Sequence, residues 1–429
     1  MSIVKDRSLA QAGAAQPLLK ADSPELAQLR GMMLYNLMVL RSTLLPLADE
    51  MAALTKLDPN RLPFLMWWVW AERQQSAINF HYFVHTFGRQ LFGSATFEGE
   101  TLLAENDLFR LTHIPVKPGV EKKATMFHVG GFVPYSDNLF RLLPEANFFD
   151  RFIEKGIEVY EMKCKCATDR FNPQLLDLSV ERIIESVHTF SEIAFEHSGR
   201  KKMILEGYCG TGLHTYTSYL ADIENMAARF NLILTFVSPL DGRKCTIFEE
   251  MHRALNYLNP SEKNVDGRTI SQVLDTVQQR NFEKTPMGAL VHGWKNKEYA
   301  KVEKIEDLTP RQRSELAAWY WLSLEHGSYY PLSQDLYRFF TPLFAQGVSQ
   351  EGVLPCAYKG KTLNLNDLKK TKVKVLTFLG GSDHLVDPHT ADILKTILGK
   401  NCENVIHEKT GHVAYIFNPS RWRSDDKRA

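Results

Sequence analysis

The sequence predicts an α/β fold, a mostly parallel sheet covered on both faces by helices. Apolar runs alternate with amphipathic helical segments between about residues 119 and 242, and the same rhythm resumes from 361 to 429. The intervening residues 243–360 lose the alternation and read as aromatic-rich helical pieces, such as ELAAWYWLSLEHGSYYPLSQDLYRFFTPLF, so they are expected to form an inserted cap.

Residues 1–29, rich in Ala, Gln, Ser and Lys, read as a mobile leader. Residues 30–118 read as a largely helical N-terminal region, because apolar residues recur at helical spacing from Met32 to Leu57 and again through AERQQSAINFHYFVHTFGRQLFG. The core then opens with KKATMFHVGGFVPYSDN, a strand running into a Gly-Gly loop. GIEVYEMKC is the next strand, and LLDLSVERIIESVHTFSEIAFEHSG is an amphipathic helix closed by Gly199. MILEG and NLILTFVSPLD supply two more strands. After the insertion come the strand in KVKVLTFLGGSDHLVD, the helix ADILKTILG, the strand ENVIHE and the segment TGHVAYIFNPSRW.

Composition narrows the function. Lys+Arg 51 against Asp+Glu 50 leaves no basic field for nucleic acid. Six scattered cysteines, at 164, 166, 209, 245, 356 and 402, and a start without a continuous apolar core indicate a reduced, cytoplasmic protein. The close pair Cys164 and Cys166 lacks CxxC or His-rich company and reads as two thiols on one face of a strand, so no metal is expected. LPFLMWWVWA, residues 62–71, is half the length needed to cross a bilayer. It reads as a buried or docking helix, with adsorption to a lipid or polymer surface as the alternative.

The chemistry centres on LEGYCGTGLHTY. Cys209 stands between small residues at the end of a strand, Asp383 follows a later strand, and His412 lies in a last loop. Nucleophile, acid and histidine in that order are what an α/β-hydrolase active site requires, since loops at the carboxyl ends of parallel strands converge. His412 would take the thiol proton, Asp383 would fix the ring's tautomer, and the thiolate would attack a carbonyl. The oxyanion would be held by the backbone N–H of Gly210 and by one from the HVGGF loop, near Phe132. His384, beside Asp383, is an auxiliary candidate. His128 is expected to pack beneath the loop, and His214, five residues past the cysteine, to point away from the turn without a role.

These motifs resemble the polyhydroxyalkanoate synthases. GYCGTG is similar to their cysteine lipase box, GGSDHLVDP to their acid motif and TGHVAYIFNPS to their histidine loop, with the likeness running from about residue 110 onward. The resemblance implies a 3-hydroxyacyl-CoA thioester as substrate, a growing polyester as acceptor and no separate cofactor. It also implies a granule surface as a site of action and a homodimer or partner subunit as candidate assemblies. Thr211 stands where that family has a glycine, a side chain expected to crowd the turn. MLYNLMVLRSTLLPLADEM and GHVAYIF resemble intracellular polyhydroxyalkanoate depolymerases, which use the same triad in hydrolysis. A noncatalytic granule-associated protein is the third reading.

Overall fold

The computed structural model describes residues 79–80, 83–91, 96–131, 137–141, 147–165, 173–245, 264, 293, 296–320, 332–383 and 385–417. The chain divides into two compact units, residues 1–83 with 323–327 and residues 84–322 with 328–429. Of the first, only residues 79, 80 and 83 are described. The expected leader, most of the helical N-terminal region and the apolar stretch 62–71 therefore lie outside the described residues.

The second unit is built on eight strands. They are β1 (Thr101–Glu105), β2 (Phe109–Ile114), β3 (Ala124–His128), β4 (Ile157–Cys164), β5 (Met203–Tyr208), β6 (Phe230–Phe236), β9 (Lys374–Gly380) and β10 (Cys402–His407). A separate hairpin, β7 (Val353–Tyr358) with β8 (Lys361–Asn364), precedes β9. The sheet order is β1-β2-β4-β3-β5-β6-β9-β10, with β2 antiparallel to both neighbours and every later pairing parallel. Such an order, with one reversed strand near the leading edge, is the α/β-hydrolase fold.

Sequence and structure part company at the leading edge. Residues 101–114, within the segment read as helical, form β1 and β2, so the sheet begins at Thr101 rather than after 118. The local cause is Asn106, whose Oδ1 accepts from the backbone N–H groups of Leu108 (3.0 Å) and Phe109 (2.7 Å) and turns the chain between the two strands. The following β2 exposes Arg110 and buries most of its other residues.

Helix α1 (Val180–His197) starts at Ser179, whose side chain accepts from the Arg182 N–H. It buries Val180, Ile183, Ile184, Val187, Phe190 and Ala194 at three- and four-residue intervals. Each large member of that stripe contributes about 1.5–3 kcal/mol by leaving water. Gly199, at φ +83°, follows the last turn. Helix α2 (Gly210–Ala221) is different: from Thr211 to Leu220 every residue is buried. Two of its threonine hydroxyls bond within the helix, Thr215 to the Gly212 carbonyl and Thr217 to that of His214. Helix α3 (Ile223–Arg229) leads into β6.

Helix α4 (Gln334–Ala345) lies inside the expected cap but belongs to the core. Leu336, Tyr337, Phe339 and Leu343 join the same buried cluster as the apolar faces of α1 and α2. Asp335 accepts from the Val180 N–H at 2.9 Å, and Ser333 donates to the Leu178 carbonyl, so α4 is tied to the start of α1. The hairpin β7–β8 likewise spans the expected boundary at 360. Most of residues 246–292 lie outside the description. Helix α5 (Asp392–Leu398) then joins β9 to β10.

Candidate active site

Cys209 stands between β5 and α2 with φ +49° and ψ −120°, a conformation costly for any residue with a side chain. The residue sits on a strained strand-to-helix turn, and two neighbouring glycines let the turn pack. A Cβ on Gly207 would come 2.6 Å from Thr215 Cγ2 and 2.7 Å from the Thr211 carbonyl oxygen. A Cβ on Gly212 would come 1.8 Å from Ser238 Oγ and 2.6 Å from Ser238 Cβ. Glycine is thus required at 207 and at 212, and not at 211.

Thr211 does not crowd the turn, contrary to the sequence expectation. Its hydroxyl accepts from the Tyr208 N–H at 2.8 Å and donates to the Tyr208 carbonyl at 3.0 Å, closing the turn from inside. The close approach that a glycine would serve has moved one residue along, to Gly212 against Ser238. Gly210 opens α2, where no preceding turn offers its N–H an acceptor.

The acid and the histidine come from the ends of β9 and β10. Asp383 Oδ2 accepts from His412 Nδ1 at 2.8 Å, and its other oxygen accepts from the N–H groups of Leu385 (2.8 Å) and Val386 (3.0 Å). The two loops are laced together: Gly381 N–H bonds the His407 carbonyl, Ser382 N–H the Thr410 carbonyl, and Ser382 Oγ the Glu408 carbonyl. This lacing explains the glycine pair in GGSD. A Cβ on Gly380 would stand 2.3 Å from the Thr410 oxygen, and one on Gly381 2.7 Å from Glu408 Cα.

The side chains of His412 and Asp383 are 5% and 0% exposed. Burial alone would drive the His412 imidazole neutral, but the Asp383 carboxylate and the Cys209 sulfur, through charge and hydrogen bonding, push it up to about 10. Cys209, Asp383 and His412 are therefore brought into one interacting group. Phe132 and His384 lie outside the described residues. Gly131, just before Phe132, has its N–H committed to the Asp137 carboxylate at 2.9 Å. Cys164 ends β4, buried, with its N–H on the same carboxylate, and Cys166 lies outside the description.

Two tyrosines escaped the sequence reading. Tyr208 donates to the His412 carbonyl at 2.5 Å, and Tyr415 donates to the Leu379 carbonyl at 3.1 Å while lying 3.0 Å from His407 Nδ1. Both rings are buried, and together they pin the histidine loop to β5 and β9. Tyr208, Phe236 and Phe378 stand in register across three strands, with successive rings stacked at 6.1 and 5.1 Å. The sequence signals were Tyr208 inside GYCGTG and Tyr415 inside TGHVAYIFNPS.

His128 does more than fill space beneath the loop. Register sets it beside Glu161 and Glu206 on the flanking strands, and its Nδ1 pairs with Glu206, both side chains fully buried. Burial disfavours the imidazolium, but the charges of Glu206 and Glu161 outweigh it and raise the ring's value. Arg141 bridges Glu161 to Glu100. Phe140 and Phe149 close around the ring, with centroids at 4.5 and 5.1 Å. His214 is buried in α2 against Phe339 of α4, ring centroids 5.5 Å apart, where burial pushes it down to about 4.

No protein-family model and no curated protein matches this chain. Among solved structures it is similar to a bacterial membrane phospholipase A, at 16% identity over 88% of this chain and 94% of that one, TM-score 0.40. It is also similar to a monoacylglycerol lipase from Paleococcus ferrophilus, at 12% identity over 72% and 91%, TM-score 0.39. A third is a thioesterase domain from the curacin biosynthetic pathway, at 12% identity over 74% and 94%, TM-score 0.38. Likeness this distant assigns no chemistry; the fold rests on the strand order. Among the described residues no group of side chains could hold a metal ion, and no helix is long and apolar enough to cross a membrane.

Proposed function

We propose that this chain is a cysteine-dependent acyltransferase acting on acyl thioesters, with 3-hydroxyacyl-CoA as donor and a growing polyester as acceptor. The observation that supports it best is a buried imidazole at His412 that is hydrogen-bonded to Asp383 and interacts with a cysteine on a strained turn. The acyl donor follows from the sulfur: attack of a thiolate on a thioester exchanges one thioester for another at little cost, storing the acyl group. The polyester follows from the family resemblance of the three motifs.

In this reading the Cys209 proton passes to His412, on the nitrogen not held by Asp383. The thiolate sulfur bonds the carbonyl carbon, and the oxyanion is met by the Gly210 N–H and by that of Phe132. Collapse expels the coenzyme A thiolate, which recovers the proton from His412, leaving an acyl group on Cys209. His412 next accepts the proton of an incoming 3-hydroxyl, the oxygen attacks the acyl carbon, and the bond to Cys209 sulfur breaks as the ester forms.

The test is purified protein with 3-hydroxybutyryl-CoA. Coenzyme A release with polymer formation, both abolished by Cys209→Ala, is the expected result. Release of hydroxyacids from amorphous polymer without synthesis would replace the transferase with a depolymerase. Granule binding that survives Cys209→Ala, from a native protein without turnover, would replace it with a noncatalytic granule protein.

A further inference from the structure

The strand order sets a mechanical problem for residues drawn from the strand ends. Cys209 follows β5 and His412 follows β10, with β6 and β9 standing between those strands. Asp383 holds the imidazole by Nδ1 at 2.8 Å, but Asp383 follows β9 and references the ring to that strand, not to the one carrying the sulfur. The bond that crosses back to β5 is made by the residue beside Cys209. Tyr208 donates its phenolic hydroxyl to the main-chain carbonyl of His412 at 2.5 Å.

Tyr208 is gripped along its whole length. Its backbone N–H and carbonyl are both bonded to the Thr211 hydroxyl, at 2.8 and 3.0 Å, which ties it into the turn that carries Cys209. Its buried ring stacks on Phe236, with centroids 6.1 Å apart and planes at 15°, and Phe140 and Phe148 meet it edge-on at 5.6 and 5.7 Å. A close-packed ring wedged among three others cannot swing its hydroxyl away without breaking those contacts. Burial and the charges of Asp383 and Cys209 hold the phenol above its usual range, so the group remains a donor. The path from sulfur to imidazole is therefore short: Cys209, the adjacent Tyr208, one hydrogen bond, His412.

We propose that Tyr208 is a positioning residue, whose hydroxyl sets the imidazole of His412 where it can take the proton of Cys209. The inference rests on Cys209 and His412 being nucleophile and base. Without the hydroxyl, the histidine loop keeps its bonds to the β9 loop through Gly381 and Ser382, and its ring keeps Asp383, but the hydrogen bond that references it to β5 is gone. Misplacing a catalytic group by about 1 Å can cost roughly 100-fold in rate. Tyr208 acts through His412, so the loss falls on kcat rather than on KM.

The experiment compares Tyr208→Phe with the native protein, Tyr219→Phe and His412→Ala. Tyr219 lies farther along α2 with its hydroxyl 3.3 Å from Thr371, so its variant controls for the loss of a tyrosine hydroxyl elsewhere. Two rates are read: alkylation of Cys209 by iodoacetamide at neutral pH, followed by mass spectrometry of the peptide containing it, and coenzyme A release from 3-hydroxybutyryl-CoA. In Tyr208→Phe the expected result is alkylation slowed about tenfold, toward the His412→Ala rate, and kcat lowered about 10- to 100-fold with KM within about twofold of native. Tyr219→Phe should stay within about twofold of native in both rates. If Tyr208→Phe is unstable, all four proteins are assayed in trimethylamine N-oxide, which favours the folded state. Native rates of alkylation and turnover in folded Tyr208→Phe, or an equal loss in Tyr219→Phe, would overturn the inference and leave the acyltransferase reading intact. His412→Ala alkylating as fast as the native protein would overturn both.

Discussion

Asp383→Asn separates a catalytic histidine from a merely buried one. In the native protein one carboxylate oxygen accepts from His412 Nδ1 and the other from two backbone N–H groups, those of Leu385 and Val386. An asparagine must keep its single carbonyl oxygen on the two backbone donors, because turning its NH2 toward them would set donor against donor. The NH2 then faces Nδ1, which must present a lone pair, and the ring's proton moves to Nε2. That nitrogen is the one required to accept from Cys209. The geometry survives and the tautomer is wrong, a fault that costs roughly 10⁴ in turnover, or about 5.5 kcal/mol at 1.36 kcal/mol per decade. Steady-state coenzyme A release should show the loss in kcat with KM little changed, since substrate binding is untouched. An asparagine variant within about tenfold of native turnover would refute the proton-transfer role of His412.

The same pair predicts a pH dependence. His412 is raised from 6.5 to about 10, so its contribution to stability is complete below pH 6.5 and is lost as pH rises toward and through 10. Melting temperatures of the native protein should fall more steeply between pH 7 and 10 than those of Asp383→Asn; parallel slopes would contradict the pairing. Gly212→Ala places a methyl 2.6 Å from Ser238 Cβ, a clash that side-chain rotation cannot relieve, and should cost about 3 kcal/mol. Adding Ser238→Gly should recover most of that in chemical denaturation, and no recovery would locate the strain elsewhere. Thr211→Gly removes a hydroxyl with two partners and should cost about 1–2 kcal/mol, while Thr211→Ser should melt near the native protein. A Thr211→Gly variant more stable than native would restore the view that threonine crowds the turn. Glu206→Gln leaves the buried His128 ring without its charge partner and should destabilise by about 3 kcal/mol or more. Thermal unfolding unchanged by that substitution would show the pair to be unimportant.

The parallel core was legible because its signals are local. MILEGYCGTG announces a strand, a sharp turn and a helix within ten residues, and GGSD and TGH follow apolar runs long enough to be read as strands. What escaped depends on partners distant in sequence. The need for glycine at 212 is set by Ser238, which takes up the close approach there, and nothing in GYCGTG reveals that. The anchoring roles of Tyr208 and Tyr415 depend on carbonyls at 412 and 379. The strands β1 and β2, at the sheet's edge and next to it, are only five and six residues long and were submerged in the helical pattern upstream. Helix α4 read as cap because its aromatic density resembles its neighbours; only the burial of Leu336, Tyr337, Phe339 and Leu343 assigns it to the core.

The lacing between the loops after β9 and β10 also sets an order of events during synthesis. Strands β1 to β6, with Cys209 at the end of β5, leave the ribosome first, at about 5–20 residues per second. Throughout that interval the thiol has neither the imidazole nor the carboxylate beside it. The histidine loop is seated only when Gly381 and Ser382 find the carbonyls of His407 and Thr410 and Tyr208 finds that of His412. In a nascent chain Cys209 thus stays apart from Asp383 and His412 until the sheet's final strand has docked.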